Sequence, residues 1–214
     1  LASKEFAAHL IHGVTGSGKT EIYMQAIQTS LEQNRSAILL VPEIALTSQT
    51  IERLRARFQQ KIAILHHRRS LGERSAAWDL LLKNEAQIVV GARSAIFAPA
   101  KNVGLIIVDE EHDGSYKQSD ESPCYQGRDV AVMRAHLEKA TIILGSATPS
   151  LESYANAKKG KYILSTLNAR ATSAPLPKVQ IMDMKTACDK AGGCTHFSEE
   201  LIEAMQKRLD LGEQ

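Results

Sequence analysis

Six short apolar runs punctuate the chain: His9–Ile11, Ala37–Val41, Ile62–Leu65, Gln87–Val90, Leu105–Val108 and Thr141–Leu144. None alternates apolar with polar residues, which is the pattern of strands covered on both faces. The stretches between them carry helical spacing. Ile51, Leu54 and Phe58 fall at i, i+3, i+7, and so do Val130, Met133 and Leu137. Strand and helix alternating in this order predict an α/β fold, a parallel sheet with helices on both faces.

The texture changes near residue 168. The stretch 168–178 holds Pro175 and Pro177 and reads as a connector. It leads into a predicted short strand, Val179–Met182, and a Gly-rich loop at Gly192 and Gly193. A last helix is predicted from Ser198, with a capping hydroxyl, Glu199 and Glu200 in its first turn and a Phe197–Ile202 staple. Leu201, Met205 and Leu209 form its apolar stripe, and Gly212 stops it. The expected division is a body over residues 1–167 and a connector, strand and helix over 168–214. An apolar stripe this close to the last residue, and Leu1 in place of Met, suggest a piece of a longer protein.

Composition narrows the classes further. A chain of 214 residues suffices for one large α/β domain or two small ones. Hydrophobic residues at 43% and charged residues at 23% exclude a disordered chain. Lys and Arg total 26 against 24 Asp and Glu, so the net charge of +2 does not by itself announce a nucleic-acid partner. No apolar run approaches the ~20 residues of a membrane helix, and no leader or lipidation motif is visible. Cys124, Cys188 and Cys194 are too few and too widely spaced for a disulfide framework or a structural zinc site. A reducing compartment, hence a cytoplasmic protein, is the expectation.

Chemistry enters at residues 13 to 20. Gly13, Gly18, Lys19 and Thr20 fill the fixed places of G-x-x-x-x-G-K-[ST], after a predicted strand and at the start of a helix. The glycines let backbone N–H groups turn inward around phosphate oxygens, and the helix terminus adds partial positive charge. The expected nucleotide cradle is therefore Gly13, Thr15, Gly16, Ser17, Gly18, Lys19 and Thr20. Lys19 would place its ammonium on the β- and γ-phosphates, and the Thr20 hydroxyl would ligate Mg²⁺.

Downstream, Leu105–Val108 runs straight into Asp109, Glu110, Glu111 and His112. A buried strand that ends in carboxylates sits at the carboxyl edge of the sheet, where ligands bind. Asp109 is assigned to the Mg²⁺ shell and Glu110 to polarising the attacking water. Glu111, Asp113, Asp120 and Glu121 are also consistent with a merely solvated acidic loop.

Basic residues bear on what such an ATPase would act upon. Arg53, Arg55, Arg57, Lys61, Arg68, Arg69 and Arg74 crowd residues 51 to 75 against only Glu52 and Glu73. The cluster suits either a phosphate backbone or a solvated helix face. His66 and His67 read as a strand-end pair rather than a metal site.

Three further segments carry a resemblance. Val41–Gln49 is similar to motif Ia of superfamily 2 helicases, Gly91–Ala95 to the next DNA-facing motif, and Gly145–Ser150 to motif III. The flanks narrow it: the run from Asp109 to Gln118, the Ala-Arg-Ser-Ala-Ile-Phe-Ala-Pro segment from Ala92, and Tyr125–Ala131 resemble the bacterial replication-restart helicases over essentially the whole chain. That resemblance implies a RecA-like first helicase lobe in an ATP-dependent 3′-to-5′ DNA helicase that acts on single-stranded and forked DNA. Primosome proteins and single-stranded-DNA-binding protein would be its partners.

By the same resemblance, Thr47, Arg93 and Ser94 would touch the strand's backbone, and His112, Ser146 and Thr148 would couple hydrolysis to DNA. Residues 113 to 129 would form an aromatic-rich DNA-sensing loop with Tyr116, Lys117, Tyr125 and Arg128 supplying stacking and charge. Cys124, Gln126 and Gly127 depart from the family's usual residues there. The second lobe with its arginines, the zinc-binding cysteine pairs and the upstream adenine-reading Gln are not in these residues, so zinc is expected only in the second half. Slow turnover by the lobe alone follows. Another superfamily 2 translocase, a hydrolysis-deficient scaffold and a P-loop ATPase without a nucleic-acid role are the competing readings.

Overall fold

In a computed structural model, which describes residues 5–43, 48–59, 61–66, 69–120, 122–171, 179–191 and 193–212, the apolar runs line up side by side. Strands β1 (Ala7–Gly13), β2 (Ser36–Leu40), β3 (Lys61–Leu65), β4 (Ala86–Gly91) and β5 (Val103–Asp109) precede a two-stranded antiparallel hairpin, β6 (Lys117–Gln118) and β7 (Tyr125–Gln126). Strands β8 (Thr141–Ser146) and β9 (Ile163–Leu167) complete a seven-stranded sheet in the order β3-β4-β2-β5-β8-β1-β9. Its six pairings are all parallel. Every expected strand of the body is present. β9 escaped the pattern because it is an edge strand: Ile163 is half exposed, so the run from Ile163 to Leu167 lacks the continuous apolar signature of its neighbours.

Successive residues of each central strand point to opposite faces. Leu10, Ile38, Leu40, Ile106, Val108, Ile142 and Leu144 build one buried cluster, shared with helices α3 (Leu71–Leu82) and α4 (Gly127–Leu137). Ile11, Ala37, Leu39, Ile107 and Ile143 build the other, against α1 (Lys19–Glu32) and α2 (Ser48–Arg57). Each Leu or Ile so buried contributes about 1.5–3 kcal/mol, so the double-sided cover explains the unbroken apolar runs.

Two expectations about local packing are corrected. Met133 and Leu137 are 58% and 74% exposed, so the predicted stripe of α4 is not its inner face. That helix buries Gly127, Ala131 and Ala135 instead, because small residues let it lie close to the sheet. Val179–Met182 is no strand: Val179 and Ile181 are 83% and 93% exposed, and the segment pairs with nothing among the described strands.

The chain divides into two compact units, Leu1–Ser173 and Ala174–Gln214. α5 (Leu151–Lys158) lies in the first; α6 (Met184–Ala191) and α7 (Glu199–Asp210) form the second. The Ser198 hydroxyl accepts from the Leu201 N–H and caps α7 as expected, while Leu201, Met205 and Leu209 remain substantially exposed. No helix among the described residues is long and apolar enough to cross a membrane.

Candidate nucleotide site

The parallel register brings the carboxyl ends of β1, β8 and β5 together: Ile11 and Asp109 both pair with Gly145. The loop leaving β1 then turns into α1 through Gly16 at φ +78° and Gly18 at φ +90°, a left-handed geometry that glycine adopts without strain. Gly13 is fixed by space instead, since a Cβ there would stand 2.5 Å from Ser17 Oγ. Lys19 is buried and its ammonium donates to the Gly13 carbonyl at 2.8 Å, folding the side chain back across its own loop.

Opposite the loop, β5 delivers Asp109 and the chain turns sharply. Glu110 takes φ +44°, a conformation that costs a non-glycine residue about 1 kcal/mol or more. The turn brings the Glu110 carboxylate 3.9 Å from Lys19 Nζ on one side and 3.7 Å from His112 Nδ1 on the other. Asp109 Oδ1 accepts the Tyr23 hydroxyl at 2.9 Å, and its backbone carbonyl accepts the Tyr116 hydroxyl at 2.7 Å. Burial raises the Asp109 pKa above the usual carboxylate value, partly offset by the Tyr23 hydrogen bond. Burial also raises the Tyr23 hydroxyl, so it remains a donor.

Thr20, Tyr23, Leu39, Val41, Arg53 and Asp109 line a cleft of about 90 Å³ beside the loop. Among the described residues no cluster of three or more His, Cys, Asp or Glu forms a cage for a metal. Mg²⁺ seldom needs one: it takes one or two protein oxygens and completes its shell with water and phosphate oxygens. The Thr20 hydroxyl and Asp109 carboxylate in one cleft fit that requirement.

The next two residues of the turn go elsewhere. Glu111 is fully buried and accepts from Ser150 N at 2.7 Å, Ser150 Oγ at 3.0 Å, Ser153 Oγ at 2.8 Å and Arg128 Nη1 at 3.1 Å. It is a structural anchor for the N-terminus of α5, not a solvated acid. His112 Nδ1 lies 2.7 Å from Ser146 Oγ, and its Nε2 lies 3.3 Å from Thr148 Oγ1. Ser146 Oγ accepts the Thr148 N–H at 2.9 Å. Glu110, His112, Ser146 and Thr148 thus form a continuous polar chain from the phosphate loop to the end of β8.

The expected DNA-contacting residues divide. Thr47 lies outside the described residues. Ser94 is exposed. Arg93 Nη1 donates to the carbonyls of Ser115 and Lys117, and its guanidinium sits 5.6 Å from the Tyr125 ring centroid. Tyr125 also packs edge-on against Phe97, and Lys117 is exposed. Tyr116 and Arg128 are corrected. Tyr116 is fully buried beneath Asp109, and Arg128 is buried against Glu111, Ser150 and Asp129. Neither side chain presents itself to a strand in this arrangement. Within the basic stretch, Arg57, Lys61 and Arg69 pair with Glu21, Glu85 and Glu73.

Tyr23 and Glu111 were not singled out from sequence as site residues. Tyr23 follows Lys19 by four on a helix, so it shares that residue's buried face. For Glu111 nothing local distinguishes it from its acidic neighbours; its partners are 17 to 42 residues away.

The DEAD/DEAH box helicase family profile matches residues 3–157. The chain is 50% identical over its whole length to Replication restart protein PriA of Chlamydia pneumoniae, covering 29% of that protein. It is 47% identical to Replication restart protein PriA of Bacillus subtilis (strain 168), again over its whole length and covering 26%. The chain therefore spans less than a third of these curated relatives. Among solved structures, RecG bound to a three-way DNA junction matches 80% of this chain and 22% of its own at 23% identity and TM-score 0.58. The Pyrococcus furiosus Hef helicase domain matches 77% and 35% at 22% identity and TM-score 0.54. Both show the fold: a RecA-like helicase lobe.

Proposed function

The chain belongs to the DEAD/DEAH box helicase family, and from that premise we propose that it is the nucleotide-binding lobe of a replication-restart DNA helicase. Membership implies use of ATP and Mg²⁺ in general. In this lobe the loop amides and Lys19 would hold the triphosphate. Thr20 and Asp109 would hold the Mg²⁺, which would supply neutralisation of the phosphate charge. Glu110, whose carboxylate lies 3.9 Å from Lys19 Nζ, would orient the attacking water and accept its proton. The observation that carries this reading is the convergence of Lys19, Thr20, Asp109 and Glu110 at one edge of the sheet.

DNA enters the proposal through the relatives' name and the group of exposed Ser94 and Lys117 with half-buried Arg93 and Tyr125. The polar chain from Glu110 through His112 to Ser146 and Thr148 supports a coupling role, since His112 lies against Glu110 on one side and the end of β8 on the other. Forked DNA, primosome proteins and single-stranded-DNA-binding protein are proposed as partners of the longer protein, in the bacterial cytoplasm. The lobe alone is proposed to bind nucleotide and turn it over slowly, since a missing arginine finger costs roughly 10³ to 10⁵ in rate.

ATP turnover by the full-length protein, with and without single-stranded DNA and across salt, tests the reading. Strong stimulation by DNA that fades as salt rises supports it. Turnover indifferent to DNA points to an ATPase with another task.

A further inference from the structure

Strand β9 closes more than the sheet edge. Its last residue, Leu167, accepts the Val14 N–H at 3.3 Å, and Ala171 N–H donates to the Gly16 carbonyl at 2.8 Å. Leu167 Cβ stands 3.1 Å from the position a Cβ would take on Gly13, and Ala171 Cβ 4.0 Å from that on Gly18. The segment from Leu167 to Ala171 therefore clasps the phosphate loop along its outer side.

Arg170 belongs to this segment, immediately before Ala171. Its Nε is shielded from solvent and has no hydrogen-bond partner, and the same holds for Ser17 Oγ within the loop. No carboxylate among the described residues neutralises the guanidinium. An enclosed donor left without an acceptor is costly, and two of them, one in the loop and one in the segment hydrogen-bonded to it, point to a ligand that supplies acceptors.

Sheet order says which end of the ligand that is. Asp109 and Glu110 lie at the end of β5, and the order β5-β8-β1-β9 puts Arg170 on the far side of the loop from them. A triphosphate whose terminal phosphate faces Lys19 and Glu110 leaves its nucleoside on the β9 side. We propose that Arg170 receives the nucleoside end of the bound nucleoside triphosphate, the guanidinium plane lying against the base and Nε donating to a ribose oxygen. This deepens the nucleotide-site reading and rests on it. A planar cation stacks on any base, so the contact adds affinity without reading base identity.

Calorimetric titration of the full chain with ATP, ADP and inorganic tripolyphosphate, each with Mg²⁺, is the test. Arg170→Ala is expected to weaken ATP and ADP alike, about tenfold, and to leave tripolyphosphate within about twofold. Arg170→Lys is expected to recover little, because an ammonium has no plane to stack. Arg170→Gln, which keeps a polar side chain of similar length, provides the comparison should the alanine variant fold poorly. Equal weakening of tripolyphosphate and ATP would make Arg170 a phosphate ligand and overturn the proposal, as would unchanged binding of all three. A wild-type chain that binds none of the probes sinks the nucleotide-site reading and this proposal together. Wild-type binding with an indifferent Arg170→Ala sinks the proposal alone.

Discussion

Glu111 and Arg128 form a buried ion pair, 3.1 Å between carboxylate and guanidinium, that joins the turn after β5 to the first turn of α4. Ser150 binds both members, donating its N–H and hydroxyl to the carboxylate while its Oγ accepts from Arg128. The carboxylate thus accepts four hydrogen bonds and the guanidinium donates three, the kind of satisfaction under which a buried pair is tolerated. Glu111→Ala takes away the buried acceptor shared by Arg128, Ser150 and Ser153, leaving the guanidinium only Ser150 and the solvent-exposed Asp129, and is expected to lower unfolding stability by about 3 kcal/mol. Urea denaturation measures it. In a double-mutant cycle with Arg128→Met, the second substitution should cost much less than the first; additive losses would show the two act separately.

Lys19 makes its hydrogen bond within its own loop, to the Gly13 carbonyl. Lys19→Ala is expected to leave the melting temperature nearly unchanged and to weaken MgATP binding tenfold or more, the value of roughly one charged hydrogen bond. Titration of the variant beside a thermal melt separates the two effects.

Asp109 gives a signed pH dependence. Burial raises its native pKa, so the native state holds the proton more tightly than the unfolded chain. Its contribution to stability is therefore greatest below about pH 4, is lost as pH rises through the raised native value, and is flat above. Asp109→Asn removes the cost of the buried charge. It is expected to raise the melting temperature at neutral pH, to give no gain in acid, and to weaken Mg²⁺-dependent nucleotide binding. A lower neutral melting temperature would contradict the sign.

Gly145 leaves room for the Tyr23 hydroxyl that holds Asp109; a Cβ there would collide with that oxygen. Gly145→Ala is expected to cost about 1–3 kcal/mol through overpacking and to displace Tyr23 from the carboxylate. Tyr23→Phe in the same chain removes the worst clash, leaving ring Cζ at 2.8 Å, and should restore part of the lost stability in a thermal melt, but not the hydrogen bond to Asp109.

The aromatic residues separate by burial. Tyr125→Ala is expected to weaken single-stranded DNA binding by about 1–3 kcal/mol, the range for one stacked base. Tyr116→Phe should leave DNA binding untouched and cost about 1 kcal/mol of stability for the lost hydrogen bond to Asp109. Fluorescence anisotropy with a labelled oligonucleotide, paired with denaturation, tells them apart.

The phosphate loop and the central strands were readable from sequence because each rests on local information: fixed spacing in one case, unbroken apolar runs in the other. The convergence of Lys19 with Asp109 and Glu110 followed once both segments were placed at strand ends. The fate of Tyr116 and Arg128 did not, because an aromatic and a cation in a polar loop look alike whether they face solvent or a buried carboxylate. Their partners lie across the fold. The inner face of α4 was misread for a related reason: large apolar residues signal burial in general, but a helix pressed against a sheet takes alanine and glycine. β9 was missed because it is an edge strand whose Ser165 and Thr166 interrupt the apolar run.

The left-handed turn at Glu110 has a genetic corollary. Three adjacent codons, 110 to 112, encode side chains that diverge to a lysine, a buried arginine and a strand-end serine. If the proposed roles hold, substituting them one at a time should yield separable defects: one in nucleotide chemistry with the fold intact, one in folding, and one in the link between nucleotide and the end of β8.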